Sequence, residues 1–179
     1  IIVIYMNESS LQTLDTFTLE NIPDLDVVVL GALELFENQT PPQIDLTKFK
    51  RPLVVGSGNA EATGKILFEK TDAVFASEST YESKLQNIPA IDGVVLISAS
   101  GAKHAPTITR RAKELGKSVM LITNTQESEA SRLLDITHGD SEYIFPKNRE
   151  PYTYNTSTYL GMVLGVTQEN PQAIAHFIQ

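Results

Sequence analysis

From about residue 50 onward, short apolar runs rich in β-branched residues alternate with stretches in which apolar residues recur every three or four positions. The apolar runs predict β-strands at about residues 52–55, 72–76, 93–97, 118–123 and 142–145. Helical spacing predicts helices at about residues 59–70 and 104–115. We also expect helices at about residues 128–134 and 157–167, and a helical turn near 81–85. Strands that alternate with helices are typical of a parallel sheet covered on both faces. The pattern therefore predicts a doubly wound α/β fold with a five-stranded parallel sheet and helices on both faces.

Two segments are apolar without periodicity, which indicates that both lie inside the fold. Gly93-Val94-Val95-Leu96-Ile97 is an unbroken apolar run, as expected for the middle strand of a parallel sheet with both faces buried. The stretch at residues 157–167 is apolar on all sides of the helix that it predicts. We expect this helix to be buried, and its all-round apolar surface is one reason to expect a homodimer.

The first 50 residues give a mixed pattern. Val27-Val28-Val29 favours a strand, whereas the length of the apolar stretch at residues 24–36 suits a helix better. We predict a helix there, followed by a break and an extended linker at Pro41-Pro42. At 179 residues the chain has the size of one domain. We expect a single domain over residues 1–179, with its core at about residues 50–167 and a helical or extended N-terminal segment at 1–49.

Charge and composition narrow the set of partners. The net charge is −8 at pH 7, from 22 acidic and 14 basic residues, so the field of the chain repels a polyanion and disfavours nucleic acid. The chain has no cysteine, which fits a reducing, cytoplasmic location. Ile1-Ile2-Val3-Ile4-Tyr5 lacks the features of a signal peptide, and no apolar run has the length of a membrane span. We expect a cytoplasmic protein that does not contact a membrane.

The loop Ser98-Ala99-Ser100-Gly101-Ala102-Lys103 lies between the central strand and an amphipathic helix. Ligands of open α/β sheets bind in this position, at the carboxyl ends of the strands. The hydroxyls of Ser98 and Ser100, together with Gly101 and the N–H groups of a helix start, can form a phosphate site. The alternative is a helix cap with no ligand, because small polar residues are also normal at this position.

A second small, polar turn, Gly56-Ser57-Gly58-Asn59, follows the first predicted strand at the same edge of the sheet. The third glycine of a dinucleotide-binding motif would fall at Glu61, so this turn does not favour a nicotinamide cofactor. A plain tight turn is the alternative to a ligand contact here. No group of histidines and carboxylates has metal-ligand spacing, so we expect neither a metal nor a cofactor.

Four segments in this order resemble the signature turns of the sugar isomerase (SIS) domain family, over about residues 50–167. They are Gly56-Ser57-Gly58-Asn59-Ala60, Ala76-Ser77-Glu78, Ile97-Ser98-Ala99-Ser100-Gly101 and Leu121-Ile122-Thr123-Asn124. The resemblance is nearest to the isomerase half of glucosamine-6-phosphate synthase-like proteins. It implies a flavodoxin-like sandwich that holds the phosphate of a sugar phosphate at the second loop. The chain departs from the family at Lys103, where a threonine is usual, and Lys103 either supplies a positive charge to the phosphate or projects into solvent.

Aldose–ketose isomerisation requires a base, usually a carboxylate, and often a histidine or lysine that assists ring opening. Glu78 follows the second predicted strand, and Glu150 precedes the last helix. The resemblance implies a glutamate near the sugar in the segment before that helix, so we predict Glu150 as the base and Glu78 as the second candidate. His104, next to the phosphate loop, is the candidate for ring opening. Solvent-exposed side chains without a catalytic role are the alternative for all three.

These observations predict a phosphosugar-binding SIS domain that acts as an isomerase on an aldose, ketose or amino-sugar phosphate. The rival hypothesis is a sensing module or regulatory subunit that binds the sugar phosphate without turnover. SIS domains commonly pair, so the resemblance also implies a homodimer.

Overall fold

The computed structural model describes residues 9–179, in which five strands form one entirely parallel sheet. The strands are β1 (Pro52–Val55), β2 (Val74–Ala76), β3 (Gly93–Ile97), β4 (Ser118–Thr123) and β5 (Ser141–Ile144). Their order across the sheet is β2-β1-β3-β4-β5, which places β3 in the middle. The expected doubly wound five-stranded parallel fold is confirmed, and so is the central position of the third strand.

Seven α-helices accompany the sheet in the described part of the chain. They are α1 (Ser10–Thr16), α2 (Leu25–Asn38), α3 (Asn59–Leu67), α4 (Tyr81–Asn87), α5 (Ala105–Glu114), α6 (Thr156–Thr167) and α7 (Pro171–Ile178). The predicted bounds differ from the observed ones by more than one residue at elements such as α3, which ends three residues earlier, and β2, which begins two residues later than expected. The first five residues, judged above not to be a signal peptide, lie outside the described range.

The predicted helix at residues 128–134 is wrong. The chain forms only a 3-10 turn at Ser131–Leu133, followed by a second one at Ile136–His138. Each of Ser128 and Ser131 accepts a hydrogen bond at its Oγ from the backbone N–H of the other, at 3.1 Å in both cases. Serine side chains that bond nearby backbone groups compete with helix formation. The reciprocal pair therefore holds a local turn where the apolar spacing favoured a helix.

Side chains alternate between the two faces of the sheet along each buried strand. Leu53, Val94 and Leu121 lie on the face that α4 and α5 cover. Val54, Val95 and Ile122 lie on the opposite face, under α3 and α6. Because both faces are covered, β3 is buried and apolar at every position, which is why it gave the clearest strand signal in the sequence.

Helix α2 forms a further layer on the outer side of α6. Leu33 and Phe36 of α2 pack with Leu164 of α6 in one apolar cluster. Gly161 makes this approach possible, because a Cβ at that position would lie 2.2 Å from the Phe36 ring. Helix α6 is therefore buried, as its composition predicted. The apolar surface of α6 is covered by the chain itself, so it no longer argues for a homodimer, which stays a prediction without that support.

Helices α1 and α7 were absent from the predicted elements, although both carry recognisable start signals. Ser9 accepts a hydrogen bond from the backbone N–H of Gln12 at the start of α1. Asn170 accepts one from Ala173 and precedes Pro171 at the first position of α7. Both helices are eight residues or shorter, too short for apolar periodicity to reveal them. Both pack against α2.

Over residues 9–179, no helix combines the length and the apolar character that crossing a membrane requires.

Candidate functional site

A cleft of about 510 Å³ opens at the carboxyl edge of the sheet. The strand order reverses between β1 and β3, and in flavodoxin-like sheets this switch point is where ligands bind. Loops that follow all five strands contribute to the lining, as does the first turn of α6. The lining side chains are Ser57, Ala60, Glu78, Ile97, Ser98, Ala99, Ser100, Lys103, His104, Asn124, Thr125, Lys147, Thr153, Asn155 and Tyr159.

Residues 98–103, which we call the phosphate loop, follow β3 and are tied to the end of β4. The Ala99 carbonyl accepts hydrogen bonds from Thr123 Oγ1 and from the Asn124 backbone N–H, both at 2.9 Å. Within the loop, the backbone N–H of Ala102 donates to Ser100 Oγ at 3.3 Å. Because Ser100 Oγ acts there as an acceptor, its own O–H can donate toward a bound anion.

Gly101 is required by the shape of this loop. Its φ is +59°, in the left-handed region, and a Cβ would lie 2.2 Å from Ser128 Oγ. Its carbonyl accepts a hydrogen bond from the Ala130 N–H at 3.0 Å, so the loop lies directly against the segment after β4. Gly101 itself does not line the cleft. Gly101 lets the phosphate loop turn sharply while the loop packs closely against the segment after β4.

Lys103 lies two residues before α5, in a left-handed conformation with φ of 53°. A non-glycine residue in this region is uncommon and marks local strain. Its side chain lines the cleft, as does that of Lys147. Neither lysine lies within 4.0 Å of a carboxylate among residues 9–179. In a chain of net charge −8, the cleft therefore presents two positive charges that no described carboxylate neutralises.

Three polar side chains meet at the β1–β2 side of the cleft. Ser57 Oγ donates a hydrogen bond to Glu78 Oε1 at 3.1 Å, and His104 Nε2 lies 3.4 Å from Glu78 Oε2. Glu78 is the one carboxylate that lines the cleft in the described part of the chain. Its side chain is 39% exposed, so a ligand and solvent can both reach it. Ser57 and His104 orient the carboxylate through its two oxygens.

The other three predicted residues of the β1 turn, Gly56, Gly58 and Asn59, do not line the cleft. They support the turn that places Ser57 there. A Cβ on Gly56 would come within 2.8 Å of the Ala60 backbone, so this position keeps β1 close to α3. Gly58 has φ of +55° and precedes the first residue of α3. Asn59 turns away, and its Nδ2 donates to the Tyr154 carbonyl at 3.2 Å.

Glu150 lies at the start of α6 and is absent from the lining of the cleft. Its carboxylate accepts hydrogen bonds from the backbone N–H groups of Thr156 and Ser157, both at 2.7 Å, and from the Ser157 hydroxyl. A carboxylate in this position satisfies free N–H groups and interacts favourably with the helix dipole. The structure thus gives Glu150 a capping contact, and its catalytic role stays a prediction that the geometry does not favour over one for Glu78.

The sheet and the cleft can be compared with those of solved structures. The sugar isomerase domain of an RpiR transcription factor from Sphaerobacter thermophilus matches 96% of this chain and 89% of its own, with a TM-score of 0.51 and 16% sequence identity. A protein from Escherichia coli CFT073 matches 94% and 85%, with a TM-score of 0.50 and 16% identity. The fold is that of a sugar isomerase (SIS) domain.

A third structure with the SIS fold is the Vibrio vulnificus NanR protein complexed with ManNAc-6P. It matches 82% of this chain and 54% of its own, with a TM-score of 0.52 and 16% identity. No protein-family model and no curated protein matches the sequence. At these identities the comparisons establish the fold alone.

Several residues that line the SIS cleft were not among the predicted site residues. They are Asn124, Thr125, Lys147, Thr153, Asn155 and Tyr159. The position of Asn124 and Thr125 directly after β4 was a usable signal, since the ends of parallel strands share one edge. Lys147 follows β5, so the same signal applied to it. Thr153, Asn155 and Tyr159 belong to the segment around the start of α6, and only the three-dimensional structure shows that this segment lies at the cleft.

Tyr159 adds a hydrogen-bond donor to the SIS cleft. Burial raises the pKa of its phenol above the ordinary value, and a backbone hydrogen bond at Ala99 offsets only part of the shift. The phenol therefore stays protonated at neutral pH and can donate to a ligand. No cluster of histidine, aspartate and glutamate suited to a metal ion occurs among residues 9–179.

Proposed function

We propose that this chain binds a phosphorylated sugar in the cleft and interconverts its aldose and ketose forms. The observation that carries the proposal is the arrangement of the cleft. The phosphate loop with Ser98, Ser100 and Lys103 lies at the switch point of the sheet, beside a carboxylate that Ser57 and His104 orient. The phosphate loop supplies anion donors, and Glu78 supplies an acid–base group within the same cleft.

Each residue has a chemical role in the proposed reaction. The hydroxyls of Ser98 and Ser100 and the ammonium of Lys103 bind the phosphate oxygens. Glu78 removes the proton from the carbon next to the carbonyl and delivers it to the carbonyl carbon, while the hydroxyl proton on the first carbon passes to the carbonyl oxygen, so no proton is gained or lost overall. His104 carries a proton to or from the ring oxygen when the sugar opens. Lys147, Asn124 and Thr125, on the β4–β5 side, bind sugar hydroxyls.

The charge distribution supports an anionic ligand. The chain as a whole is acidic, yet Lys103 and Lys147 line the cleft against one described carboxylate, that of Glu78. A local positive site on an acidic molecule binds a small anion while the overall field still repels large polyanions. Of the four non-glycine residues with positive φ in the described chain, Lys103 and Asn155 both line this cleft. Strained backbone of this kind is concentrated at functional sites.

A sugar-phosphate sensor without turnover is the second candidate function. One of the similar folds belongs to a protein named as a transcription factor, and another is bound to ManNAc-6P. The observation on this chain that favours a sensor is that one carboxylate alone reaches the cleft in the described residues. Binding needs no base, whereas an isomerase must perform every proton transfer at carbon with Glu78.

The direct test is thermal unfolding in the presence of a panel of sugar phosphates, followed by an isomerase assay on each compound that stabilises the protein. A compound present at 100 times its Kd is expected to add about 2.7 kcal/mol of stability. For a chain of this size that raises the Tm by roughly 5–10 °C. Stabilisation with turnover supports the isomerase, and stabilisation without turnover supports the sensor. If no sugar phosphate stabilises the protein, both functions are wrong.

Replacing Ser100 with alanine tests the phosphate loop separately. We expect the Kd for the stabilising sugar phosphate to rise about 5- to 150-fold, because a charged oxygen loses a hydrogen-bond donor in the cleft. Isothermal titration calorimetry measures this change. Ser83→Ala is the matched control, since Ser83 is an exposed residue of α4 outside the cleft. Equal affinities of the two variants would show that the phosphate does not bind at this loop.

A further inference from the structure

The wall of the cleft on the β5 side is the segment that joins β5 to α6. We call residues 147–155 the strap. It contributes Lys147, Thr153 and Asn155 to the lining and contains neither helix nor strand. Asn155, at its end, has left-handed backbone with φ of 52°. The Glu150 carboxylate attaches the strap to the start of α6, and two further side chains attach it to a more distant part of the chain.

Two residues of the strap attach it to the N-terminal part of the chain. Arg149 Nη1 donates a hydrogen bond to the Asp15 carbonyl at 2.9 Å, and its guanidinium lies 3.9 Å from the centre of the Phe17 ring. Tyr152 Oη donates to the Pro23 carbonyl at 3.0 Å. Residues 15–23, which comprise the end of α1 and the connection to α2, thus contact the strap through two hydrogen bonds and one cation–π contact.

The attachment continues across the strap to the other side of the cleft. The Tyr152 ring stacks on Tyr154, with 5.7 Å between ring centroids and 23° between planes. The Tyr154 carbonyl accepts the hydrogen bond from Asn59, at the first position of α3. The chain of contacts therefore runs from residues 15–23, through the two tyrosines, to the helix that begins beside Ser57.

We propose that Arg149 and Tyr152 are positioning residues through which residues 15–23 hold the strap over the sugar part of a bound sugar phosphate. This inference rests on the proposed function, since it requires a sugar in the cleft. A strap that is ordered before binding does not lose its conformational entropy when the ligand arrives. The two residues touch no ligand themselves and act through Lys147, Thr153 and Asn155.

The position of the strap predicts which part of the ligand it affects. The phosphate donors belong to the phosphate loop after β3, which is anchored to β4 and to the Ala130 segment. The strap belongs to the β5–α6 connection. Loosening the strap should therefore weaken the binding of the sugar moiety and leave the binding of inorganic phosphate unchanged. Substitution of a residue with a merely structural role would weaken the binding of both ligands together.

The experiment compares Tyr152→Phe, Arg149→Ala and wild-type protein by calorimetric titration with inorganic phosphate and with glucosamine 6-phosphate. Tyr152→Phe removes one hydroxyl and keeps the stacked ring, so the fold is retained even if Arg149→Ala proves unstable. We expect each variant to bind glucosamine 6-phosphate about three- to tenfold more weakly, the effect of one lost hydrogen bond. Affinity for inorganic phosphate should stay within about twofold, and amides 147–155 should exchange hydrogen faster.

Tyr143→Phe is the matched control, because the Tyr143 hydroxyl accepts a hydrogen bond from the Asp45 N–H outside the cleft. It should bind both ligands as wild type does. Unchanged affinity of Tyr152→Phe and Arg149→Ala for glucosamine 6-phosphate overturns the inference. An equal loss of affinity for glucosamine 6-phosphate and for inorganic phosphate also overturns it. If wild-type protein binds neither ligand, the inference is wrong, whereas the proposed function is wrong only if no sugar phosphate of the thermal panel stabilises the protein.

Discussion

Replacing Glu78 with glutamine is expected to lower sugar-phosphate turnover by roughly 10²–10⁴-fold, the usual contribution of a positioned general base. Glutamine keeps the size of the side chain and an oxygen that can accept the hydrogen bond from Ser57, but it cannot take a proton. The phosphate donors lie on a different loop, so the affinity for inorganic phosphate should stay nearly unchanged. Steady-state kinetics with the sugar phosphate that the thermal panel identifies, together with a phosphate titration, measures both quantities.

Glu150→Gln is the informative companion to this variant. The Glu150 carboxylate caps α6 through the N–H groups of Thr156 and Ser157, and a glutamine would turn an amide donor toward one of them. We expect a loss of about 1–2 kcal/mol in the free energy of unfolding, with turnover changed only a few-fold. If instead the folded Glu150 variant loses turnover and Glu78→Gln keeps it, Glu150 is the base, as the family resemblance implied, and our assignment to Glu78 is wrong.

Gly101→Ala should be the most damaging single-methyl change in the phosphate loop. Alanine at φ of +59° adopts left-handed backbone, and its Cβ would meet Ser128 Oγ at 2.2 Å. Ser128 cannot move aside easily, since its hydroxyl is hydrogen-bonded to Ser131 at 2.6 Å. We expect a loss of about 3 kcal/mol in the free energy of unfolding, measured by urea denaturation, and a loss of phosphate binding because the loop must shift.

Gly116→Ala separates the two causes of this loss in stability, which are the left-handed backbone conformation and the contact with Ser128. Gly116 ends the α5 region with φ of +67°, and a Cβ there would meet nothing within 4 Å. The backbone conformation alone should cost about 1 kcal/mol at this position. The excess loss in Gly101→Ala therefore measures the contact with Ser128. Equal losses in the two variants would show that the phosphate loop is not packed against the segment after β4.

The sequence was most informative where structure follows from local pattern. Residues 93–97 are buried on both faces of the sheet, so their apolar run identified β3 and the loop after it. The helical period of α5 was equally direct, and the all-round apolar composition of α6 correctly indicated a buried helix. At α2, the three valines disfavour a helix locally, but docking of Phe36 and Leu33 on α6 outweighs that preference.

Non-local contacts explain what the sequence did not predict. An acidic residue before Pro151 is compatible both with a base near a ligand and with a helix cap, and only the distances to Thr156 and Ser157 distinguish the two. The strap residues Lys147, Thr153 and Asn155 line the cleft in a loop that two hydrogen bonds attach to residues 15–23. Those attachments join positions far apart in the chain, which no local pattern encodes.

The layer formed by α2 on α6 has a consequence for how the chain folds during its synthesis. Helix α6, which covers the apolar side of α2, is made roughly 130 residues after α2, a delay on the order of 10 s at cellular rates of translation. Until then Leu33 and Phe36 lack their partner Leu164, although α1 can already pack against α2. Docking of α2 on α6 can therefore take place only after the last strand and α6 have been made.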